Sequence, residues 1–227
     1  MFRDLKGNLL SKEDYIRLFT DKFIKSTGYT SNDMTCEFPK DFIRYQKSIE
    51  ILENIDLGLN KNSRVLDLGS PIPYITYYLA AKYGCTVECK DINLKFPYSI
   101  ENVRGSYFNL NLLNSRLGLQ EWDFISFTEV LEHLVCNLNL VKEKVISSLK
   151  DGQYMLISYP LGNRKIAPYG QDLLDQNWET THGHLREFPN HNALDFITNL
   201  KITAKEKVIP PSNPDGSIII VYKKEFV

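Results

Sequence analysis

The stretch that most constrains this chain is 63–93, SRVLDLGSPIPYITYYLAAKYGCTVECKDIN. Its RVLDL run at 64–68 is apolar, too short for a helix and bounded by Gly69, so it reads as a buried parallel strand. The chain must turn sharply at Gly69, because an apolar helical pattern of Ile75, Tyr78, Leu79 and Tyr83 follows almost at once. CTVECKD at 85–91 then alternates like a second strand and ends on Asp91. A strand, a tight turn, a helix and a second strand ending in a carboxylate form the nucleotide-binding half of a doubly wound sheet. Such a turn sets a ligand beside backbone N–H groups and the helix N-terminus. The carboxylate can accept hydrogen bonds from ribose hydroxyls. The turn departs from the dinucleotide pattern G-x-G-x-x-G. It reads Gly69, Ser70, Pro71, Ile72, Pro73, with one glycine and two prolines that cannot donate hydrogen bonds. Pro73 suits a first helical position, where its missing N–H costs nothing.

The rest of the chain fits one domain around that unit. At 227 residues it has room for a sizeable core. We divide it into N-terminal helices over 1–58, which cap or pack, and a main domain over 59–227. A helix is expected over 11–27, with Ser11 as N-cap, Asp14 three positions on, and Tyr15, Leu18, Phe19 and Phe23 on one face. A second helix carries Phe42, Tyr45, Ile49 and Leu52 on one stripe. After Asp91, residues 96–100 read as irregular and 102–108 as a strand. WDFISF at 122–127 is a further strand, and a helix or helical turn begins over 129–134. Leu138, Val141, Val145 and Leu149 mark a helix that stops at Asp151 and Gly152, before a strand at 154–159. Residues 161–181 form a polar loop long enough to be a lid or a binding loop. A helix over 190–200 and strands over 202–209 and 217–223 complete the chain. Strands alternating with helices, then two strands joined by a turn, predict a mostly parallel sheet with an antiparallel last strand.

Composition narrows the function. With 43% apolar and 24% charged residues the chain is an ordinary globular protein. A net charge of −1 offers no general attraction to nucleic acid or to an anionic membrane. No apolar run approaches the roughly 18 residues that span a bilayer, and the first residues show no signal-peptide core. A cytoplasmic protein is expected, with no membrane partner. The four cysteines, Cys36, Cys85, Cys89 and Cys136, form no C-x-x-C pair and read as reduced structural thiols.

Four pieces in order resemble the class I S-adenosylmethionine-dependent methyltransferases: VLDLG at 65–69, Asp91, WDFISFTEVLEH at 122–133, and LKDGQYMLIS at 149–158. The resemblance covers about residues 40–225, with a degenerate glycine-rich turn. It implies an α/β fold with a doubly wound, seven-stranded, mostly parallel sheet, and S-adenosylmethionine lying across the carboxyl ends of strands one, two and four. The implied cofactor site is Asp67, Gly69, Ser70, Pro71, Tyr74, Asp91, Ile92, Asn109, Thr128 and Glu129. By position, Gly69 approaches the methionine part and Asp91 the ribose. Asn109 falls near where family members carry an acidic residue facing the adenine.

Glu129, Glu132 and His133 are spaced i, i+3, i+4, so on a helix they share one face. They follow a strand at its carboxyl end, where doubly wound sheets place ligands. His182 and His184 come after the long loop and are expected at the same edge; His191 is the remaining histidine. Two carboxylates with one or two imidazoles suit a divalent metal, and mixed oxygen and nitrogen ligands leave Mg²⁺, Mn²⁺, Fe²⁺, Co²⁺ and Zn²⁺ open. E-x-x-E-H is also similar to the metal-using O-methyltransferases of small-RNA 3′ ends and to those of the ubiquinone pathway. That resemblance implies Glu129, Glu132, His133 and one of His182 or His184 as metal ligands. In the metal-free alternative His133 or His182 is the base, with Glu129 lining the cleft. The paired glutamates need a cation: the metal, or in its place Arg186 or Lys165.

The function expected is methyl transfer from S-adenosylmethionine to a hydroxyl of a polar small molecule or sugar-containing acceptor, with divalent-metal assistance as one alternative. Two rivals stand beside it. One is 2′-O-methylation of an RNA 3′-terminal ribose, which the neutral charge and lack of an RNA-binding appendage disfavour. The other is a catalytically silent partner protein, suggested by the proline-rich turn.

Overall fold

The structure, a computed structural model, describes residues 2–3, 9–11, 14, 21, 23–24, 38–70, 72–91, 97–108, 121–134, 144–162, 188, 199–209 and 215–226. Two short strands, β1 (Phe2–Arg3) and β2 (Leu9–Leu10), pair antiparallel. Helix α1 (Phe38–Glu53) precedes β3 (Arg64–Leu68), helix α2 (Tyr74–Tyr83) and β4 (Thr86–Asp91). Then come β5 (Tyr98–Ile100), β6 (Val103–Tyr107), β7 (Trp122–Thr128), β8 (Leu149–Pro160), β9 (Leu200–Val208) and β10 (Ser217–Lys224).

The main sheet has the order β5-β6-β4-β3-β7-β8-β10-β9. β6, β4, β3, β7 and β8 run parallel, and β10 is antiparallel to both its neighbours, as expected of the last strand. The doubly wound, mostly parallel architecture is the one the sequence predicts, with eight strands in place of seven. The addition is β5, which pairs antiparallel with β6 through a turn at Glu101, whose φ is +51°. Residues 98–100, irregular by their sequence, form a strand because Tyr98 and Ile100 alternate with Ser99, so one face is buried while Ser99 stays exposed.

Period-2 alternation divides the core into two layers. Val65, Val87, Cys89, Phe124, Leu156, Ile219 and Val221 face one side, with α1 and α2. Leu66, Leu68, Ile125, Phe127, Met155, Ile157, Ile218 and Ile220 face the other, with Leu131, Leu134, Val145 and Ile146. The sequence pattern predicts a single buried stripe on α2. Instead every residue from Tyr74 to Ala80 is buried, because α1 packs on the face that the sheet leaves open. Tyr45 of α1 lies on Tyr74 at 4.9 Å between ring centroids, and Tyr78 donates a hydrogen bond to Glu53. α2 ends as Gly84 takes φ +70° and donates its N–H to Ala80 O, a left-handed cap.

Three other expectations change. The predicted stop at Asp151 and Gly152 lies inside β8, which starts at Leu149; Gly152, at φ +78°, carries an irregularity where the β7–β8 register shifts. Leu200 begins β9 and does not end a helix. Of the helix or helical turn expected over 129–134 the turn forms, two residues late: Glu129 is a bend at φ +54°, followed by a single 3-10 turn over Leu131–His133. The Ser11 cap is present, with Asp14 N–H donating to Ser11 Oγ at 3.0 Å. Cys85 and Cys89 are buried free thiols; burial pushes the first up to about 12 and the second well above its ordinary value. Cys36, Cys136, residues 163–181 and residues 190–198 lie outside the described residues. Among the described residues no helix is long and apolar enough to cross a membrane.

The β5–β6 hairpin is held by a three-part stack. Phe23 packs edge-on against Tyr98 at 4.8 Å, and Tyr98 lies over Gly105 so closely that a Cβ there would sit 2.1 Å from the ring. Gly105→Ala should therefore lower the unfolding free energy by about 1–3 kcal/mol through overpacking, read as a lower urea midpoint at unchanged slope.

Candidate functional site

The sheet register brings the ends of β3, β4 and β7 together. Asp67 pairs with Cys89 and Ser126, and Gly69 N–H donates to Lys90 O at 2.8 Å, just before Asp91. Gly69 has φ +74°, where an L side chain is strained. A Cβ at Gly69 would also stand 2.3 Å from a γ-methyl of Val130. The glycine is thus required twice, by the turn and by the strand beside it. Beyond it Ser70 Oγ donates to Ile72 O at 2.8 Å, closing the proline-rich turn on itself. Tyr77 N–H donates to Pro73 O, which starts α2. Asp91 ends β4 nearly fully buried, and its carbonyl accepts from Phe108 N–H. Gly69, Ser70, Tyr74, Asp91, Thr128 and Glu129 therefore gather at the carboxyl ends of three adjacent parallel strands. Pro71, Ile92, Asn109, His182, His184 and His191 lie outside the described residues.

Asp67 points between the sheet and α2 instead of outward. It is buried, and its Oδ2 accepts from Thr76 Oγ1 at 2.5 Å. Its Oδ1 has no hydrogen-bond partner among the described residues. Burial raises its pKa to about 7; Thr76 and Ser126 oppose the rise, and the nearby Asp91 charge adds to it. The Ser126 hydroxyl lies beside this carboxyl, yet its Oγ closes no hydrogen bond of ordinary geometry.

Glu129, Glu132 and His133 do not share a helical face, because the positive φ at Glu129 breaks the helix that the spacing assumes. Glu129 is held by its backbone and its side chain at once. Its N–H donates to Ser158 O at 2.8 Å, and Ser158 Oγ donates to its Oε1 at 2.9 Å. Arg44 Nη1 meets the same Oε1 at 2.8 Å. Glu132 is 0% exposed, and neither carboxylate oxygen has a hydrogen-bond partner among the described residues. Burial raises its pKa, against the pull of His133 and Arg44. His133 Nε2 is 3.8 Å from Glu132 Oε1, with 40% of its side chain exposed.

The cation that the paired glutamates need is thus Arg44, from α1. Lys165 and Arg186 lie outside the described residues. Among the described residues, no three of His, Cys, Asp and Glu stand close enough to hold a metal ion. The donor set fits one poorly, since Arg44 already engages Glu129 and Glu132 is sealed off.

Sequence reasoning missed Arg44, Thr76, Ser126, Val130 and Ser158. A signal for Arg44 was present: with Ser48 it forms a polar pair one turn apart, on the flank of the apolar stripe of α1. Ser126 and Ser158 are partners across the sheet, which only strand register reveals, while Thr76 reaches Asp67 from α2 and Val130 meets Gly69 beyond the end of β7.

A model of the methyltransferase domain matches residues 42–194. Among solved structures, the chain is similar to the 1,6-didemethyltoxoflavin-N1-methyltransferase of Burkholderia thailandensis, with bound 1,6-didemethyltoxoflavin and S-adenosylhomocysteine. That match has 16% identity over 96% of this chain and 92% of the other, with a TM-score of 0.60. The N-methyltransferase NodS of Bradyrhizobium japonicum WM9 matches at 12% identity, covering 83% and 98%, with a TM-score of 0.57. An S-adenosylmethionine-dependent methyltransferase of Mesorhizobium loti matches at 13% identity, covering 82% and 98%, with a TM-score of 0.54. At such identities the likeness is one of fold. No curated protein sequence matches the chain.

The buried Asp67 makes stability depend on pH. Its folded pKa of about 7 exceeds the ordinary 3.8, so its contribution is fully present below about pH 4 and is lost as pH rises through 7. The full loss is on the order of 4 kcal/mol at about 1.4 kcal/mol per pKa unit. Denaturant melts from pH 4 to 8 should show this decline, and Asp67→Asn should flatten it.

Proposed function

Because the chain belongs to the S-adenosylmethionine-dependent methyltransferases, we propose that it methylates a hydroxyl of a polar, sugar-containing small molecule. S-adenosylmethionine, when bound, supplies an electrophilic methyl group on a sulfonium sulfur. Asp91 would hold it by accepting hydrogen bonds from the ribose hydroxyls, and the Gly69 turn would let backbone approach the methionine part. His133 takes the proton from the acceptor hydroxyl. A half-exposed imidazole beside the carboxyl end of β7 is the observation that carries this reading.

The other contribution of the chain's residues would be to position the acceptor oxygen. No metal step is included, because Arg44 already balances Glu129. A nitrogen acceptor is the second reading. Two similar structures are N-methyltransferases by name, and the same base serves a protonated nitrogen. Binding to RNA is disfavoured by the net charge of −1.

Two measurements test this. S-adenosylhomocysteine should bind the folded protein in calorimetry, and Asp91→Ala should weaken it by about 1–3 kcal/mol. No heat with the wild-type protein at millimolar ligand would end the cofactor assignment. Once an acceptor is found, His133→Ala should lower kcat by about 10²–10⁴-fold, while exhaustive chelation leaves wild-type turnover unchanged. Full turnover in the histidine variant, or loss on chelation with recovery on metal add-back, would overturn the mechanism.

A further inference from the structure

Glu129 holds a backbone conformation that residues other than glycine seldom adopt, with φ +54°. Such a residue persists when its surroundings over-determine it. Three contacts do so here: Ser158 O on its N–H, and Ser158 Oγ and Arg44 Nη1 on its Oε1. Both side-chain donors meet the same oxygen. Oε2 is the oxygen those two donors leave, and the side chain keeps 21% of its surface. The next residue, Val130, fills the space where Gly69 would carry a Cβ. The bend at Glu129 therefore decides where Val130 presses on the Gly69 turn. Arg44 comes from α1, far from either strand in sequence, and is only 6% exposed.

We infer that Arg44 is a positioning residue for ligand binding: it fixes Glu129 Oε1, so that Oε2 is presented to a donor group of the ligand while Val130 stays seated on Gly69. The inference rests on the cofactor assignment made above, and it assigns Arg44 no ligand contact of its own. A lysine in its place would keep the charge yet lose the planar fork that locks the geometry. The predicted consequence is a change in affinity, separate from a change in stability.

Calorimetry with S-adenosylhomocysteine on wild-type, Arg44→Lys, Arg44→Met, Glu129→Gln and the Arg44→Met/Glu129→Gln double variant tests this, alongside unfolding melts without ligand. Arg44→Met should weaken binding about tenfold and Arg44→Lys about threefold, the size of effect that follows from removing or loosening a charge-assisted hydrogen bond. The double variant should bind no worse than Glu129→Gln alone, because the inference has the arginine act on ligand binding through that carboxylate. If Arg44→Met melts earlier but binds as tightly as wild-type, the arginine is only structural and the inference fails. It fails equally if the double variant shows the product of the two single effects. Should Arg44→Met not fold, Arg44→Lys with Glu129→Gln gives the same comparison. A wild-type protein that binds nothing overturns the cofactor assignment instead, and the wild-type arm reports that outcome separately.

Discussion

The contact between Val130 and Gly69 is the one on which the carboxyl edge of the sheet depends. Two parallel strands end side by side, and the chain after each must leave in a different direction. After β3 it turns back into α2, which needs a positive φ at Gly69. After β7 it drops Val130 onto that glycine, which needs a positive φ at Glu129. Each turn fills the space the other leaves, so neither can relax alone. Close packing of this kind transmits displacement from one strand end to the next.

Charge is arranged around that contact with little to spare. Asp67, Asp91, Glu129 and Glu132 all lie near the ends of three strands, and three of them are almost wholly buried. Arg44 is the cation that meets Glu129 and eases Glu132. Asp67 is left to Thr76 and to a raised pKa. Clustered carboxylates in a low-dielectric setting are costly unless paired or protonated.

The sheet was legible because its central strands announce themselves. RVLDL and WDFISF are short apolar runs, as strands buried on both faces must be, and Gly69 and Asp91 mark carboxyl ends beside them. β5 was not legible, since a three-residue strand has too few positions to show a period. The shared face of Glu129, Glu132 and His133 was misread for a specific reason. Helical spacing is evidence only if the helix continues, and no local signal showed that Glu129 would take a left-handed turn. Arg44 shows in the sequence only as a polar residue one turn from Ser48; its pairing with Glu129 leaves no spacing, because the two segments are distant. His182 and His184 lie outside the described residues, so the reach of the site in that direction rests on sequence alone.

The strand order also bears on the timing of assembly. β9 precedes β10 along the chain, yet β10 lies between β9 and β8 in the sheet. β9 therefore has no partner until residues as far as Lys224 are in place, and until then the free edge of β8 stays open as well. During synthesis from the N-terminus both edges must wait, exposed to any other extended segment nearby. Lys201, Lys205 and Lys207 along β9 keep that waiting strand charged and discourage wrong partners. The apolar Ile218, Ile219, Ile220 and Val221 arrive last and close the gap from its middle.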